Sequence, residues 1–142
     1  MLEVNGLTKS FGSLNVLKGV NMQVEKGEMV ALMGPSGSGK STLLNIIGGL
    51  LAGDTGEINL DDRIYGTRGP ASVVDVRRSK IGWIFQDFHL LDNLSALDNV
   101  AIALELSGVS SEEAVTAAEV ALQKVGLGAV SYTHLRAHET EA

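Results

Sequence analysis

The segment spanning residues 34–42, GPSGSGKST, constrains the fold of this chain more than any other segment. It fits the pattern G-x-x-x-x-G-K-[ST], in which a loop connects a strand to a helix. Residues 29–33 form a short apolar run with the length of a strand that is buried on both faces, and residues 41–47 are typical of the first turns of a helix. The pattern therefore predicts an α/β core in which a parallel strand, this loop and a helix follow one another.

The residue types of this loop suit the binding of phosphate groups. Glycines and small serines let the backbone wrap an anion with its N–H groups pointing inward, and the helix N-terminus adds further N–H donors. Lys40 supplies a full positive charge, and the Ser41 hydroxyl is placed to hold Mg²⁺. A chance match by a glycine-rich turn is the alternative, which the strand, loop and helix in register disfavour. The predicted residues for binding a nucleoside triphosphate are Gly34, Pro35, Ser36, Gly37, Ser38, Gly39, Lys40, Ser41 and Thr42.

Composition narrows the possible partners and the compartment. The 142 residues carry a net charge of −6, which argues against nucleic acid as a partner because nucleic-acid binders normally present a basic patch. The chain has no cysteine, which fits a reducing compartment. Its N-terminus lacks the features of a signal peptide, and the longest nearly apolar stretch, residues 43–53, is too short to span a bilayer. We therefore expect a cytoplasmic chain for which any association with the inner or plasma membrane comes through a partner.

The rest of the chain reads as alternating strands followed by helices. Residues 2–7, 20–24, 57–60 and 81–85 are predicted strands, with a turn at residues 61–62, whereas residues 63–79 are polar and irregular. Ser95-x-x-Asp98 and Ser110-x-x-Glu113 each predict a helix start. The second of these helices is expected to bury apolar residues at helical spacing and to end at a glycine: Val115, Ala118, Leu122 and Val125, with Gly126 as the C-terminal cap.

With these landmarks in order, residues 2–128 resemble the N-terminal half of an ATP-binding cassette, the motor domain of ABC transporters. Phe11 stands where the family places an aromatic residue against adenine, although a core Phe at a strand end is the alternative. Gln86 matches the glutamine that the family places near Mg²⁺ and the attacking water, with a solvated loop residue as the alternative. The resemblance implies ATP and Mg²⁺ as cofactors, Lys40 and Gln86 as catalytic residues, and Ser41 and Gln86 as metal ligands. It implies a P-loop NTPase core of the ABC type, with an N-terminal antiparallel β portion and the start of an α-helical subdomain, in truncated form.

An apolar patch after Gln86 is the expected partner surface. Phe88, Leu90, Leu91 and Leu94, with Ala96, occupy the region that receives the membrane-spanning subunit in the family, although local packing explains such residues equally well. A second cassette is also implied, because two family members close face to face around ATP. The residues around the patch, 78–82 and 92–100, are similar to the branch for lipoprotein release and macrolide export.

The family's other catalytic parts have no match in the sequence. They are a Leu-Ser-Gly-Gly-Gln signature, an apolar strand that ends in Asp-Glu (the Walker B strand), and a switch histidine. Residues 106–109, LSGV, come too early and are incomplete, and Asn59 interrupts the apolar run of residues 58–62. We therefore expect the parent protein to be an ABC-type ATPase and this chain to be a fragment without hydrolysis. A nucleotide-binding, non-hydrolysing fragment and a non-transport ABC protein are the alternatives.

The last residues do not resemble the family. Residues 130–140 resemble the translation of a transposase mosaic end joined to a sequencing adapter, so we expect the family domain to cover residues 1–128 and residues 129–142 to be an artefactual tail. A natural divergent C-terminus is the alternative. His134 and His138 have i, i+4 spacing but no evident third ligand, and a metal site there is rejected.

Overall fold

A computed structural model describes residues 1–87 and 89–133 of the chain. The chain divides into two units, Met1–Trp83 and Ile84–Ala142. The first unit contains a sheet, the glycine-rich loop, two α-helices and a 3-10 helix. The described residues of the second unit contain two α-helices and a short 3-10 helix.

The sheet of the first unit is antiparallel and confirms the predicted N-terminal β portion. Its strands are β1 (Leu2–Phe11), β2 (Leu14–Val24), β3 (Thr55–Leu60) and β4 (Arg63–Tyr65), in the order β2-β1-β3-β4. The long β1 pairs with both β2 and β3, so it is the central strand through which the others are connected. The expected turn at residues 61–62 is present as a two-residue hairpin loop in which Asp61 and Asp62 both have positive φ.

Helix α1 (Lys40–Ile47) follows the glycine-rich loop, as the sequence predicts. It buries Leu43 and Ile46 in a core that also contains Val4, Leu7, Leu17, Ile58, Tyr65, Val73 and Val76. The polar segment after β4 was expected to be irregular. It instead forms a 3-10 helix, Pro70–Val73, and helix α2 (Val74–Lys80), because Val73 and Val76 bury their side chains in this core.

The second unit is a helix pair whose ends match the sequence signals. Helix α3 (Ala96–Leu106) has Ser95 as its N-cap in a complete capping box with Asp98, and helix α4 (Ser111–Lys124) has Ser110 as its N-cap. Gly126, with φ of 79°, follows α4 in a Schellman arrangement that includes a bond from the Leu127 N–H to the Leu122 carbonyl. The helices pack through Leu97, Ala101, Ala114, Ala118 and Leu122. Val125, expected in this core, is the C-cap residue and is 69% exposed, so that expectation is wrong.

Two of the expected strands, residues 29–33 and 81–85, are absent from the part of the chain that the structure describes. Residues 29–33 and 81–85 are both irregular, although their composition is that of buried strands. Met29 is 97% exposed and Ile84 is fully exposed. An apolar run becomes a strand only when neighbouring strands take up its backbone hydrogen bonds, and all strand pairs in the described residues are antiparallel pairs among β1–β4. The prediction of a parallel core strand before the loop is therefore wrong for these residues.

Candidate functional site

A cavity of about 620 Å³ lies where the end of β1, the start of β2 and the glycine-rich loop meet. A two-residue turn at Gly12 and Ser13 separates Phe11 from Leu14, which are paired across the hairpin. This turn places the Phe11 ring beside the loop that precedes α1. The residues lining the cavity are Phe11, Val16, Ser36, Gly37, Ser38, Gly39, Lys40, Ser41 and Thr42.

The loop conformation requires glycine at its last position. Gly39 has φ of 89°, in the left-handed region, and is the N-cap residue of α1. A Cβ atom at this position would lie 3.0 Å from both the Val16 Cγ1 and Leu17 Cδ2 atoms and 3.3 Å from the Val16 carbonyl oxygen. Strand β2 therefore packs directly against the loop backbone, and this close contact holds the start of α1 beside the cavity.

The N-terminus of α1 is available to an anion. No side chain caps it, and its first turn contains no acidic residue. The first N–H groups of a helix have no partner within the helix, and the helix dipole places partial positive charge there. Ser41 and Thr42 lie in this first turn and line the cavity. The arrangement is chemically suited to a phosphate group.

Lys40 folds back over the loop. Its ammonium group donates hydrogen bonds to the carbonyl oxygens of Gly34 and Pro35, each at 2.7 Å, and to the Ser38 hydroxyl at 3.2 Å. The charge is thus held against the loop that the cavity adjoins. Gly34 and Pro35 do not line the 620 Å³ cavity but an adjoining space of about 280 Å³ shared with Leu17 and Leu43. The structure therefore brings seven of the nine predicted loop residues to the cavity with Phe11, while the other two hold the lysine.

Gln86 and the expected partner patch belong to the second unit. Gln86 is exposed on a bend, and His89 nearby has φ of 50° and contacts the Phe85 ring at 4.6 Å between centroids. Among the patch residues, Leu91 is 45% exposed and Leu90 and Leu94 are half-buried, whereas Ala96 is buried and is not part of an exposed surface. Phe88 lies outside the described residues. The roles of Gln86 and of this patch stay predictions.

Asn99 organises the segment that carries this patch. Its amide accepts a hydrogen bond from the Leu91 N–H at 2.8 Å and donates to the Leu91 carbonyl at 3.1 Å and the Ser95 carbonyl at 3.0 Å. One side chain on α3 therefore fixes the chain on both sides of residues 92–94.

For Mg²⁺, the structure offers oxygen donors rather than a preformed cage. Residues 1–87 and 89–133 contain no cluster of three or more His, Asp or Glu side chains that would hold a metal ion. Mg²⁺ is commonly bound through one or two protein oxygens together with phosphate oxygens and water. The Ser41 hydroxyl at the cavity fits that pattern, while His134 and His138 lie outside the described residues.

Comparison with known proteins decides the family. The family model described as "ABC transporter" matches residues 17–141. This chain belongs to the ABC transporter family of ATP-binding domains.

The relatives of this ABC chain agree with the predicted branch. It is 42% identical over 127 residues to the lipoprotein-releasing system ATP-binding protein LolD of Bacteroides thetaiotaomicron, covering 89% of this chain and 58% of LolD. It is 40% identical over 132 residues to the macrolide export ATP-binding/permease protein MacB 1 of Aeromonas hydrophila, covering 90% of this chain and 20% of that protein. The chain thus spans less than two thirds of the length of these relatives.

A solved cassette shares the fold. The dimeric structure of a post-hydrolysis state of the ATP-binding cassette MJ0796 bound to ADP and Pi matches with a TM-score of 0.83 and 35% identity, covering 96% of this chain and 64% of that one. No helix in the described part of the ABC chain has the length and apolar character needed to cross a bilayer.

Several side chains that shape this ABC chain escaped sequence reasoning. Val16 lines the cavity and Lys9 contacts Phe11, but neither belongs to a motif. At the other end of α1, Tyr65 donates its hydroxyl to the Ile47 carbonyl and Arg77 donates to the Gly49 carbonyl at 2.7 Å. The only sequence feature near these contacts is the pair Gly48-Gly49, whose lack of side chains permits close approach to the backbone.

Proposed function

We propose that this chain is the ATP-binding, N-terminal part of the ATPase subunit of an ABC transporter. The observation that carries the proposal is the single cavity lined by Phe11 and by residues 36–42, in a chain that belongs to the ABC family. Its volume of about 620 Å³ falls within the range of small-ligand sites. An aromatic ring on one side and a phosphate-binding loop on the other match the two chemical halves of a nucleotide.

Each part of the cavity has a role in this proposal. The backbone N–H groups of the loop and the N-terminus of α1 hold the phosphates, and Lys40 exchanges its loop acceptors for phosphate oxygens. The two proposed protein ligands of Mg²⁺ are the Ser41 hydroxyl and Gln86. The ion would neutralise phosphate charge when bound. The Phe11 ring, 50% exposed at the cavity, stacks against adenine.

We infer that the chain is a part of a longer cassette and does not hydrolyse ATP by itself. It spans 58% of the LolD relative, and no signature, acidic strand or switch histidine follows the Gln86 segment in the sequence. The apolar run at residues 29–33 supports this view, since it has the composition of a core strand but forms no strand in the described residues, and Met29 and Met33 are 97% and 89% exposed. Residues 129–142 remain the proposed non-family tail; the family model extends into this tail as far as residue 141, whereas the match to LolD covers 127 residues.

The partners follow from the relatives. By analogy with the ATP-binding/permease protein MacB and the lipoprotein-releasing ATP-binding protein LolD, a membrane-spanning subunit is the proposed partner. It would contact the segment after Gln86, where Leu91 is exposed and Asn99 fixes the backbone. Face-to-face pairing with a second cassette, and peripheral association with the cytoplasmic side of the membrane, belong to the same proposal.

Substitution of Lys40 tests the site. Lys40→Ala should abolish measurable binding of Mg·ATP by the 142-residue chain in isothermal titration calorimetry, because the terminal phosphates lose their cationic partner. The circular dichroism spectrum should not change, since the lysine bonds only to the exposed loop. Lys26→Ala, at an exposed turn, removes the same charge and should bind ATP normally. Equal binding by Lys40→Ala and wild type would refute the site.

Turnover provides an independent test. The wild-type chain should release no phosphate from ATP above the Lys40→Ala background in a coupled phosphate assay. Sustained release by the wild-type chain would show that the catalytic parts are present in these residues after all.

A further inference from the structure

The ring of Phe11 has a cation on one of its faces. The Lys9 ammonium lies 5.5 Å from the ring centroid, within the range of a cation–π contact. Lys9 and Phe11 are two residues apart on β1, so their side chains leave the same face of the strand. The Lys9 side chain is only 14% exposed although it is charged, which shows that it is held in place rather than extended into solvent.

Asp54 holds this lysine. Its Oδ1 atom lies 2.9 Å from the Lys9 ammonium, and its Oδ2 atom accepts a hydrogen bond from the Ser10 N–H at 2.7 Å. The hydrogen bonds from Lys9 and from the Ser10 N–H lower the pKa of the Asp54 carboxyl. One carboxylate therefore binds both the lysine and the backbone of the residue next to Phe11.

The backbone around Asp54 is itself tied to β1. The Asp54 N–H donates to the Thr8 carbonyl at 2.9 Å, and the hydroxyls of Thr8 and Thr55 are 2.7 Å apart. The last residues of β1 are thereby fastened to the start of β3. Without such a link, an aromatic side chain beside a glycine turn and half exposed to solvent would be free to change its rotamer.

We propose that Lys9 and Asp54 form a positioning pair that fixes the Phe11 ring as a one-sided platform for a purine base. The inference rests on the proposed ATP site and adds to it two residues that do not touch the phosphates. Since the ammonium covers one face of the ring, a base can stack only on the other face. The pair thus contributes to the recognition of the base and leaves phosphate binding to the loop.

The separation of base from phosphate gives a specific readout. Inorganic tripolyphosphate carries the phosphate chain of ATP without a base, so its affinity should depend on Lys40 and not on Lys9. A general weakening of the fold would reduce the affinities for both compounds. The ratio of the two dissociation constants therefore distinguishes a positioning role from a structural one.

The experiment measures Kd for Mg·ATP and for magnesium tripolyphosphate with the 142-residue chain. Lys9→Met, which keeps the aliphatic length, should weaken ATP binding about two- to fivefold, the range expected for an exposed cation–π contact, and leave tripolyphosphate binding unchanged. Asp54→Asn should also weaken ATP binding. Lys9→Arg, which retains both the ion pair and the ring contact, should restore the wild-type ratio. Lys26→Met is the matched control for loss of charge and should change neither constant.

Two outcomes overturn the inference by itself. In the first outcome, Lys9→Met leaves the affinity for ATP unchanged although Phe11→Ala lowers it. In the second, Lys9→Met lowers the affinities for ATP and for tripolyphosphate equally. If the wild-type chain binds tripolyphosphate as tightly as ATP, the base adds no affinity and the proposed adenine platform is wrong. If it binds neither compound, the proposed function fails, and the inference fails with it.

Discussion

The two ends of helix α1 are both rich in glycine, but Gly37 and Gly39 at the N-terminal end line the cavity and Gly48 and Gly49 at the C-terminal end do not. At the N-terminal end, Gly37 and Gly39 have positive φ and lie at an exposed loop with no side-chain cap. At the C-terminal end, Gly48 and Gly49 are buried under side chains of the first unit. Gly37 has open space around it at the cavity, and Gly39 supplies the left-handed turn into α1 against β2, whereas Gly48 and Gly49 lie under the side chains of Trp83 and Val73.

The C-terminal end shows how close this packing is. A Cβ atom on Gly48 would lie 1.8 Å from the Trp83 Cζ2 atom, and one on Gly49 would lie 2.9 Å from the Val73 Cγ2 atom. Hydrogen bonds from Tyr65 and Arg77 take up the carbonyls of Ile47 and Gly49. One end of α1 is therefore built for stability and the other for binding, and substitutions at the two ends should separate these properties.

The largest effect is expected for Gly48→Ala. Its φ of −73° suits alanine, so the cost is steric and arises from Trp83. We expect a loss of about 3 kcal/mol in the free energy of unfolding, the upper range for overpacking, measured by urea denaturation followed by circular dichroism. Gly27→Ala, at φ of 84° with open space around it, should lose about 1–2 kcal/mol from backbone strain alone. A Gly48→Ala protein more stable than Gly27→Ala would contradict the described packing.

Gly39→Ala should affect binding more than stability. The added methyl group meets Val16 and Leu17 at 3.0 Å and the φ of 89° is strained, so about 2 kcal/mol of stability should be lost. Because the loop must shift, ATP affinity should fall at least about tenfold, measured by calorimetry on the folded protein. Gly108→Ala has a similar φ of 98° in open space of the second unit and should bind ATP normally. Normal ATP binding by Gly39→Ala would break the distinction between the two ends.

Tyr65→Phe removes a hydrogen bond from the packed end. We expect the free energy of unfolding to fall by about 1 kcal/mol at neutral pH. Burial raises the pKa of Tyr65 to about 12. Since the folded state favours the neutral phenol, its contribution is complete below pH 10, the ordinary pKa, and is lost as the pH rises towards about 12. The wild-type chain should therefore lose more stability between pH 10 and pH 12 than Tyr65→Phe does.

Tyr132 provides the matched control for this titration. It is the other tyrosine of the chain, and the hydrogen bond to Glu119 raises its pKa as well, but its side chain is 74% exposed. If Tyr132→Phe reduces the loss of stability between pH 10 and pH 12 as much as Tyr65→Phe does, burial of Tyr65 at the end of α1 is not the cause of that loss.

The smallest effects concern helices that have side-chain caps. Ser95→Ala should cost about 1 kcal/mol, because the buried Ser95 accepts a bond from the Asp98 N–H at 3.1 Å in a complete box. Ser110→Ala should cost less, since Ser110 is exposed and its cap bond is 3.4 Å long. Urea denaturation of both variants tests this order. Equal losses of stability in the two variants would show that burial of Ser95 does not strengthen its cap.

Local signals in the sequence predicted the elements whose chemistry is local. The loop and α1, both serine caps, the turn at Asp61-Asp62 and the glycine after α4 depend on residues close to one another in the chain, and the structure contains all of them. The family is likewise confirmed.

Elements that depend on distant partners were predicted less well. The runs at residues 29–33 and 81–85 have strand composition, but their conformation is set by whether neighbouring strands are available. Helix α2 was missed because polar residues dominate it and only Val76 is buried. At the candidate site, the motif predicted the loop residues, whereas Lys9 and Asp54 meet only because β1 pairs with β3.

The packing of Trp83 on Gly48 also gives the chain a built-in optical probe. Trp83 is the single tryptophan among the 142 residues, so the intrinsic fluorescence of the unmodified protein comes from one indole at a known place. That place is the end of α1 opposite the loop. A shift in emission on addition of nucleotide would therefore report, without any label, that occupation of one end of the helix is transmitted along it to the other.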